Sequence, residues 1–195
     1  MTDLTNPLIG ALEPLVRRVR VDVTAVRQPD GTSRWTRRAL TEEALAQHLN
    51  GGPARGVSFI RAGESVTLAG LLDFDSHGGE TSWAEMSAVV GRVVDVLEFG
   101  HGMEPILFRS SGGRGVHLYL LWDEPQDAHS VREFLSGVLE ACGLRNGAGG
   151  VSRGQVEVFP KQAEVPADGF GNQAILPLAA KSAPLRLEDI GDELW

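Results

Sequence analysis

The stretch that decides the fold is "SVTLAGLLDFD", residues 65–75, an apolar run that ends in two aspartates one residue apart. Its apolar and β-branched content predicts a strand. The next periodic segment, "TSWAEMSAVVGRVVDVLEFG" (81–100), predicts a helix of about five turns. After it the chain continues with a strand "PILFRS" (105–110), a glycine loop "SGGRG" (111–115), a strand "VHLYLLW" (116–122), a helix "QDAHSVREFLSGVLEACG" (126–143) and a strand "QVEVF" (155–159).

This order, β-α-β-β-α-β, is the split βαβ pattern of ferredoxin-like or RNA-recognition-motif (RRM-like) folds. It predicts an antiparallel sheet with both helices on one face and the other face free. Upstream, residues 13–31 predict a short helix and a strand closed by a Pro-Asp-Gly turn, and residues 40–52 predict a helix with Thr41 as its N-cap. We therefore expect an α+β fold in which an N-terminal αβ module (1–66) packs over the free face of an RRM-like module (67–195). The cleft between the two layers is the natural ligand site.

Composition bounds the class of protein. The chain has 195 residues, with 42% apolar and 23% charged residues, as in globular proteins. No apolar run reaches the roughly 18 residues of a membrane span, and an acidic residue stands early, where a secretion signal is basic. A single cysteine, Cys142, excludes an internal disulfide and a cysteine-based zinc site. These observations predict a cytoplasmic protein with no membrane contact and no zinc.

Charge is distributed unevenly along the chain. The net charge is −8, which argues against a protein that coats nucleic acid generally. Residues 1–60 hold eight arginines and six acidic residues (+2), whereas residues 61–195 hold ten basic and twenty acidic residues (−10). The densest basic patch is "SRWTRRAL" (33–40), in which Arg34, Arg37 and Arg38 surround Trp35. The patch is typical of a solvated strand edge, and it is also the best candidate for a local nucleic-acid contact, with Trp35 able to stack on a base.

Three acids and one histidine belong to the predicted catalytic sheet. Alternate residues of a strand point to one face, so Asp73 and Asp75 lie side by side, and two such carboxylates repel unless a cation or water separates them. His117 on the second long strand and Glu157 on the last strand are expected to converge with them. Carboxylate oxygens of this kind hold one or two hard cations such as Mg²⁺ or Mn²⁺, which suit phosphoryl chemistry.

The glycine loop supplies donors for an anion. Its glycines, among them Gly113, let backbone N–H groups approach a ligand closely, and side-chain donors surround them. These donors, together with the positive charge of Lys161, predict a site for a nucleoside triphosphate. The predicted nucleotide-binding residues are Ser110, Ser111, Gly113, Arg114, His117, Lys161 and Asn172.

The motifs "DFD" (73–75), "SSGGRGVHLYL" (110–120) and "EVFPKQ" (157–162) resemble, in this order, the three motifs of the archaeo-eukaryotic primase (AEP) superfamily. The second also resembles the polymerase domain of bacterial end-joining ligases. Residues 40–60 and 168–182 resemble most closely the primase-polymerase domains of TOTE conflict systems and their phage and mobile-element relatives. The resemblance covers about residues 40–182.

This resemblance implies a DNA primase or DNA-directed polymerase that joins nucleoside triphosphates by a two-metal mechanism. Asp73, Asp75 and Glu157 match the metal-binding catalytic acids, and Ser111, Arg114 and His117 match the phosphate-contacting segment. Lys161 matches a basic residue after the third acid. The expected partners are a single-stranded or primed DNA template and ribo- or deoxynucleoside triphosphates, with a helicase encoded nearby as a further candidate. The sequence shows neither a helical C-terminal primase domain nor a cysteine cluster, so primer extension is better supported than de novo priming, and the choice between them stays open.

The same residues also fit other classes of protein, less well. An aspartate pair after a strand also opens the haloacid-dehalogenase phosphatases, but these need a parallel sheet and a later acidic pair. A calcium loop is excluded because its twelfth position, counted from Asp73, is Ala84 rather than Glu. A catalytically inactive module that binds single-stranded nucleic acid is the main alternative. The remaining histidines, including His48 and His77, are expected on the surface.

Overall fold

The structure is a computed structural model that describes residues 7–190. Its α-helices are α1 (Pro7–Val16), α2 (Glu42–Leu49), α3 (Trp83–Asp95) and α4 (Ala128–Ala141). Its strands are β1 (Arg20–Arg27), β2 (Ser33–Thr36), β3 (Arg55–Ser58), β4 (Val66–Phe74), β5 (Ile106–Arg109), β6 (Val116–Asp127), β7 (Arg145–Asn146), β8 (Gln155–Phe159), β9 (Gln173–Ile175) and β10 (Pro184–Leu185). Within the described residues, no helix is both long enough and apolar enough to cross a bilayer.

The strands form two sheets, a first sheet of four strands and a second sheet of six. The second sheet has the order β10-β5-β6-β4-β8-β7. All neighbours are antiparallel except β7 and β8. The inner order β5-β6-β4-β8 is the one that a split βαβ unit produces, so the predicted α+β fold is confirmed. The two short edge strands β7 and β10 were not predicted, because two residues carry no periodic signal.

Helices α3 and α4 cover one face of this sheet. The buried residues of α3, Met86, Val90, Val93 and Val94, recur at helical spacing. They pack with every second residue of the central strands, including Leu72, Phe74, Leu118 and Val158. The helix starts are fixed by side-chain caps: Ser82 and Glu85 form a capping box on α3, and Asp127 accepts from the Ser130 N–H on α4. Thr41 caps α2, as predicted.

Four strands form the first sheet, in the order β2-β1-β3-β9, all antiparallel. Strand β9 comes from the far end of the chain and pairs with β3 through Gly56 and Ile175. The division into modules 1–66 and 67–195 stays a prediction; the strand pairing assigns residues 173–175 to the first sheet.

A second core joins the two sheets. Leu71, Tyr119 and Phe159, on the face of the second sheet away from α3 and α4, pack with residues of the first sheet and its helices. The Phe59 ring lies 6.4 Å from the Tyr119 ring and 5.9 Å from the Phe159 ring. The predicted packing of the N-terminal layer on the free face therefore occurs, and it fixes the cleft between the sheets.

The prediction that His48 is a surface residue is wrong. Its side chain on α2 is fully buried, Nε2 lies 2.8 Å from the Pro177 carbonyl oxygen, and the Arg55 N–H donates to Nδ1 at 3.0 Å. Both ring nitrogens are therefore satisfied by backbone groups, and the ring is the neutral tautomer that carries its proton on Nε2. Burial lowers the pKa of His48, because the charged form loses its hydration.

Candidate active site

The strand register brings Asp73, His117 and Glu157 into one row. Asp73 on β4 is directly opposite His117 on β6 and directly opposite Glu157 on β8. Directly opposed residues of antiparallel strands point to the same face, and this is the face that looks toward the first sheet. Asp75 follows the end of β4. The side chains of Asp73, Glu157 and Asp75 are half-buried, and His117 is buried.

Asp73 and His117 form an ion pair. Asp73 Oδ1 lies 3.3 Å from His117 Nε2, but it makes no hydrogen bond with any described residue. Burial alone lowers the pKa of His117, yet the charges of Asp73 and then Asp75 outweigh it, and the net pKa is raised. The imidazolium is therefore the form that the two carboxylates stabilise.

Asp75 is the acid of this cluster whose charged form is disfavoured. Burial, reinforced by the negative charges of Asp73 and Glu157, raises the pKa of Asp75 to about 6, although His77 and His117 act in the opposite direction. Two carboxylates that raise the pKa of a third are close enough to repel it. A cation placed among them would remove that repulsion.

Lys161 pairs with Glu157 through its Nζ atom, which also lies 4.6 Å from the centre of the Phe159 ring. In this arrangement a protein cation neutralises each of two acids: His117 for Asp73 and Lys161 for Glu157. As they stand, no three His, Cys, Asp or Glu side chains within residues 7–190 are grouped to hold a metal ion. The predicted metal role of the acids stays a prediction.

The residues nevertheless fit a hard divalent cation. Their donors are carboxylate oxygens, which Mg²⁺ and Mn²⁺ prefer. One oxygen of the half-buried Asp73 carboxylate lacks a hydrogen bond. The neighbouring Asp75 has a pKa raised by burial and by the negative charge of Asp73. Such a group of carboxylates lacks a positive partner. A cation would complete it.

The glycine loop between β5 and β6 packs closely against β4. A Cβ at Gly115 would lie 2.4 Å from the Phe74 carbonyl oxygen, so only glycine fits there. The Ser110 hydroxyl accepts from the Gly115 N–H at 3.0 Å and closes the loop. Gly113 has a φ of +79°. The N–H groups of Gly112 and Arg114 donate to no other described residue, so they are available to an anion.

A cavity of about 390 Å³ joins the acids to this loop. Its lining includes Asp73, Asp75, Ser110, Ser111, Arg114 and His117. The lining therefore combines carboxylates with the donors of the loop. An adjoining depression of about 630 Å³ shares Ser76 and Arg114 with the cavity and continues to Trp83.

Three of the predicted nucleotide-binding residues, Gly113, Lys161 and Asn172, are absent from the lining of this cavity, as is Glu157. Asn172 is exposed before β9, and Lys161 is paired with Glu157. Their nucleotide contacts stay predictions. Arg34, Arg37 and Arg38 are exposed on or next to β2, the outer strand of the first sheet. Trp35 stacks on Phe170 at 5.4 Å between centroids, and the Arg37 guanidinium lies 5.0 Å from the same ring. One face of Trp35 is therefore already occupied by a side chain.

Sequence reasoning missed several residues at the site. Arg27, Ser76, His77, Gly78 and Ile175 line the cavity. Lys181 lies against the loop, where its Cδ would be 2.7 Å from a Cβ on Gly113. Ser76, His77 and Gly78 directly follow Asp75 and so had a local signal. Arg27, Ile175 and Lys181 reach the site through long-range packing.

Residues 22–185 match the family model described as the TOTE conflict system, archaeo-eukaryotic primase domain. The chain belongs to this family. The match to this primase domain extends the resemblance found in residues 40–182 toward both ends, and it includes the first sheet. No curated protein sequence matches the chain.

Among solved structures, this primase domain is similar to the polymerase domain of Mycobacterium tuberculosis ligase D in complex with DNA. The TM-score is 0.64 at 16% identity, over 100% of this chain and 83% of that chain. The AEP domain of the cyanophage S-2L primase-polymerase aligns with a TM-score of 0.46 at 15% identity, over 82% of this chain and 91% of that one. The first similarity confirms the predicted two-layer AEP fold.

Proposed function

We propose that this primase domain is a template-dependent nucleotidyltransferase that joins nucleoside triphosphates to a nucleic-acid chain. The observation that carries the proposal is the strand register, in which Asp73 has His117 on one side and Glu157 on the other, directly beside the glycine loop. Acids for a cation and donors for a triphosphate then line one cleft. Membership of the primase family supports the same reaction class.

Asp73, Asp75 and Glu157 are the residues that would hold one or two divalent cations. When bound, such ions supply charge neutralisation for the phosphates and activation of the attacking hydroxyl. The chain's own part is to bring three half-buried carboxylates together and to pair Glu157 with Lys161 until a cation competes for it. In this proposal Lys161 is released from Glu157 when the site is loaded.

The nucleotide's phosphates are assigned to the glycine loop. The N–H groups of Gly112 and Arg114 are without acceptors among the described residues, and the Arg114 and Ser111 side chains line the same cavity. A charged His117 at the floor adds a further donor toward a phosphate oxygen. Because the loop would hold the end of the triphosphate, the α-phosphate would be oriented over the acids.

A nucleic-acid template is the proposed partner. The similar ligase D polymerase domain was solved in complex with DNA. On this chain the exposed arginines Arg34, Arg37 and Arg38 lie on the less acidic part of the molecule. A helicase encoded nearby remains a proposed partner, as does the cytoplasm as the location. A phosphatase of the haloacid-dehalogenase type does not fit, since its parallel sheet is absent: the Asp73 strand is antiparallel to both neighbours.

The second candidate function is a module that binds single strands without catalysis. It is disfavoured by the acids, because three clustered carboxylates repel a phosphate backbone and give a pure binding protein no advantage. Metal-dependent nucleotide binding distinguishes the two functions.

The test is primer extension on a gel, compared with unprimed synthesis, using ribo- or deoxynucleotides with Mn²⁺. We expect extension by the native chain and none by the Asp73→Ala, Asp75→Ala double variant. An Asp95→Ala, Asp168→Ala variant removes two exposed aspartates and serves as the matched control. Extension by the first double variant at the native rate would refute the proposal.

A further inference from the structure

Arg27 brings a positive charge from the first sheet to the catalytic cavity. It is the last residue of β1, its side chain is exposed, and it lines the cavity that contains Asp73 and Asp75. Ile175 is the other first-sheet residue in that lining. None of the family motifs discussed above includes Arg27, which lies 46 positions before the first catalytic acid.

The backbone holds Arg27 firmly at the strand end. Its N–H donates to the Ala54 carbonyl oxygen at 2.9 Å, and its register partner on β2 is Ser33. The hairpin turn beyond it is closed by the Gln28 N–H, which donates to the Thr32 carbonyl oxygen at 2.7 Å. Nη2 lies 3.9 Å from the place of a Cβ on Gly31, so the guanidinium extends over this turn.

The guanidinium has no protein partner within residues 7–190. No carboxylate there forms an ion pair with it, and no hydrogen bond engages it. The nearest acid along the hairpin, Asp30, accepts instead from the Thr32 N–H and hydroxyl. By contrast, Arg18 and Arg20 pair with Asp123 and Asp22. A cation without a protein partner among these residues, beside a cavity lined by carboxylates, is available to an anionic ligand.

One face of the first sheet connects this cation to the aromatic and basic residues of β2. Trp35 pairs with Ala25, Ala25 with Gly56, and Gly56 with Ile175, so these four positions form a row across the sheet. Arg27 follows Ala25 by two residues and lies on the same face. The row leads from the stacked rings of Trp35 and Phe170 to the cavity wall at Ile175. The hairpin, residues 27–38, carries four arginines against one acid.

We infer that Arg27 binds a backbone phosphate of the nucleic-acid strand where this strand enters the catalytic cavity. The inference rests on the proposed function, because it assigns part of the same cleft. The glycine loop, with Arg114, connects β5 and β6, so the nucleotide's phosphates are held from the second sheet. Arg27 acts from the first sheet. The nucleic-acid strand and the nucleotide are therefore bound by different cationic groups.

The test separates the two sources of phosphate. Binding of a fluorescent single-stranded oligonucleotide is measured by anisotropy over a range of salt concentrations, without nucleotide. Binding of a nucleoside triphosphate with Mn²⁺ is measured separately, without oligonucleotide. The variant is Arg27→Gln. The matched control is Arg145→Gln. Arg145 is exposed on β7, an edge strand of the second sheet.

We expect Arg27→Gln to weaken oligonucleotide binding about two- to fivefold, as for one exposed ion pair, and to reduce the salt slope by about 0.7, the value for one phosphate on a single strand. Nucleotide binding should change less than about twofold, the range of an exposed substitution, and Arg145→Gln should change neither. An equal loss of nucleotide binding, or no loss of either, would overturn the inference. If the native chain itself binds oligonucleotide but fails to extend a primer, the proposed function fails while the Arg27 contact still stands.

Discussion

At the scale of single residues, Asp75 carries the largest electrostatic cost of the site. Its pKa is about 6 in the folded chain against 3.8 for a free side chain. Between these values the folded state binds more protons than the unfolded state, so the free energy of unfolding falls as pH rises through this window, and the loss persists above pH 6. We predict that Asp75→Asn stabilises the metal-free protein at pH 7.5 by up to about 3 kcal/mol, and far less at pH 4.

The measurement is thermal or urea unfolding with a chelator present. Asp168→Asn, at an exposed loop position, is the control and should leave stability unchanged. Addition of Mn²⁺ should raise the melting temperature of the native chain and have little effect on Asp75→Asn. Destabilisation by Asp75→Asn at both pH values would mean that the carboxylate is held by favourable contacts instead of repelled.

His48 gives a pH dependence of the opposite sign. Its pKa is lowered by burial, so below about pH 6.5, the ordinary value for histidine, the unfolded state takes up a proton before the folded state does. The free energy of unfolding therefore falls as pH decreases below 6.5. We predict that His48→Gln is less stable than the native chain at pH 8, because the Arg55 N–H loses its acceptor, yet shows a flatter stability profile from pH 7 to 5.

The control for this profile is His129→Gln, because His129 is exposed at the start of α4. Urea unfolding at each pH gives the comparison. A native-like slope in His48→Gln would assign the pH dependence to another group. The burial of His48 also had a sequence signal: it falls on the same helix face as Ala44 and Leu45, four and three residues earlier.

At the scale of elements, the loop between β5 and β6 carries the proposed phosphate contacts. Gly115 allows it to approach β4, Ser110 closes it, and Arg114 projects from its end with an exposed side chain. We predict that Arg114→Ala weakens binding of a nucleoside triphosphate by about 1.5–3 kcal/mol, the range for a charged hydrogen bond. Binding of the corresponding nucleoside should barely change.

Isothermal titration with both ligands distinguishes a lost phosphate contact from a damaged site. Arg92→Ala, on the exposed side of α3, provides a charge-matched control. Parallel losses for nucleoside and triphosphate would indicate that the loop had collapsed.

The elements differ in how far their sequence predicts them. The row of Asp73, His117 and Glu157 was predictable, because the β-α-β-β-α-β order fixes which strands are neighbours and alternation fixes the face. The pairing of β9 with β3 was not, since three residues contain no information about a partner more than a hundred positions away. For the same reason the approach of Arg27 and Ile175 to the cavity could not be inferred. These contacts depend on how the two sheets pack.

At the scale of the whole molecule, that packing makes one cleft from two sheets of different charge. Phe59 of the first layer fills the space beside Tyr119 and Phe159, so the sheets share a core and cannot be positioned independently. The chain returns from β9 to β10, which pairs with β5 at the edge of the second sheet. The less acidic layer is thus fixed beside the acidic one. Under the proposed function, we expect the template to approach through the less acidic layer.

The template prediction follows from this charge map. With −10 on residues 61–195, a single strand should bind through few contacts, and the salt slope should be shallow, about −0.7 per neutralised phosphate. Affinity should rise when Mn²⁺ and nucleotide are added together, because the cation masks Asp73, Asp75 and Glu157 from the phosphates of the strand. Anisotropy against salt, with and without Mn²⁺ and nucleotide, measures both effects.

The variant that tests the path is Arg34→Ala, Arg37→Ala, Arg38→Ala, in which three exposed charges of the β2 edge are removed. We expect a flatter salt dependence and weaker binding, with the gain from Mn²⁺ and nucleotide retained, because that gain arises at the acids. The control replaces three other exposed arginines, Arg61, Arg92 and Arg145. Since both triple variants change the net charge equally, a difference between them reports position. Equal binding by the two triple variants would mean that the β2 edge makes no contact with nucleic acid. The nucleic-acid strand would then cross the first sheet nearer to Arg27.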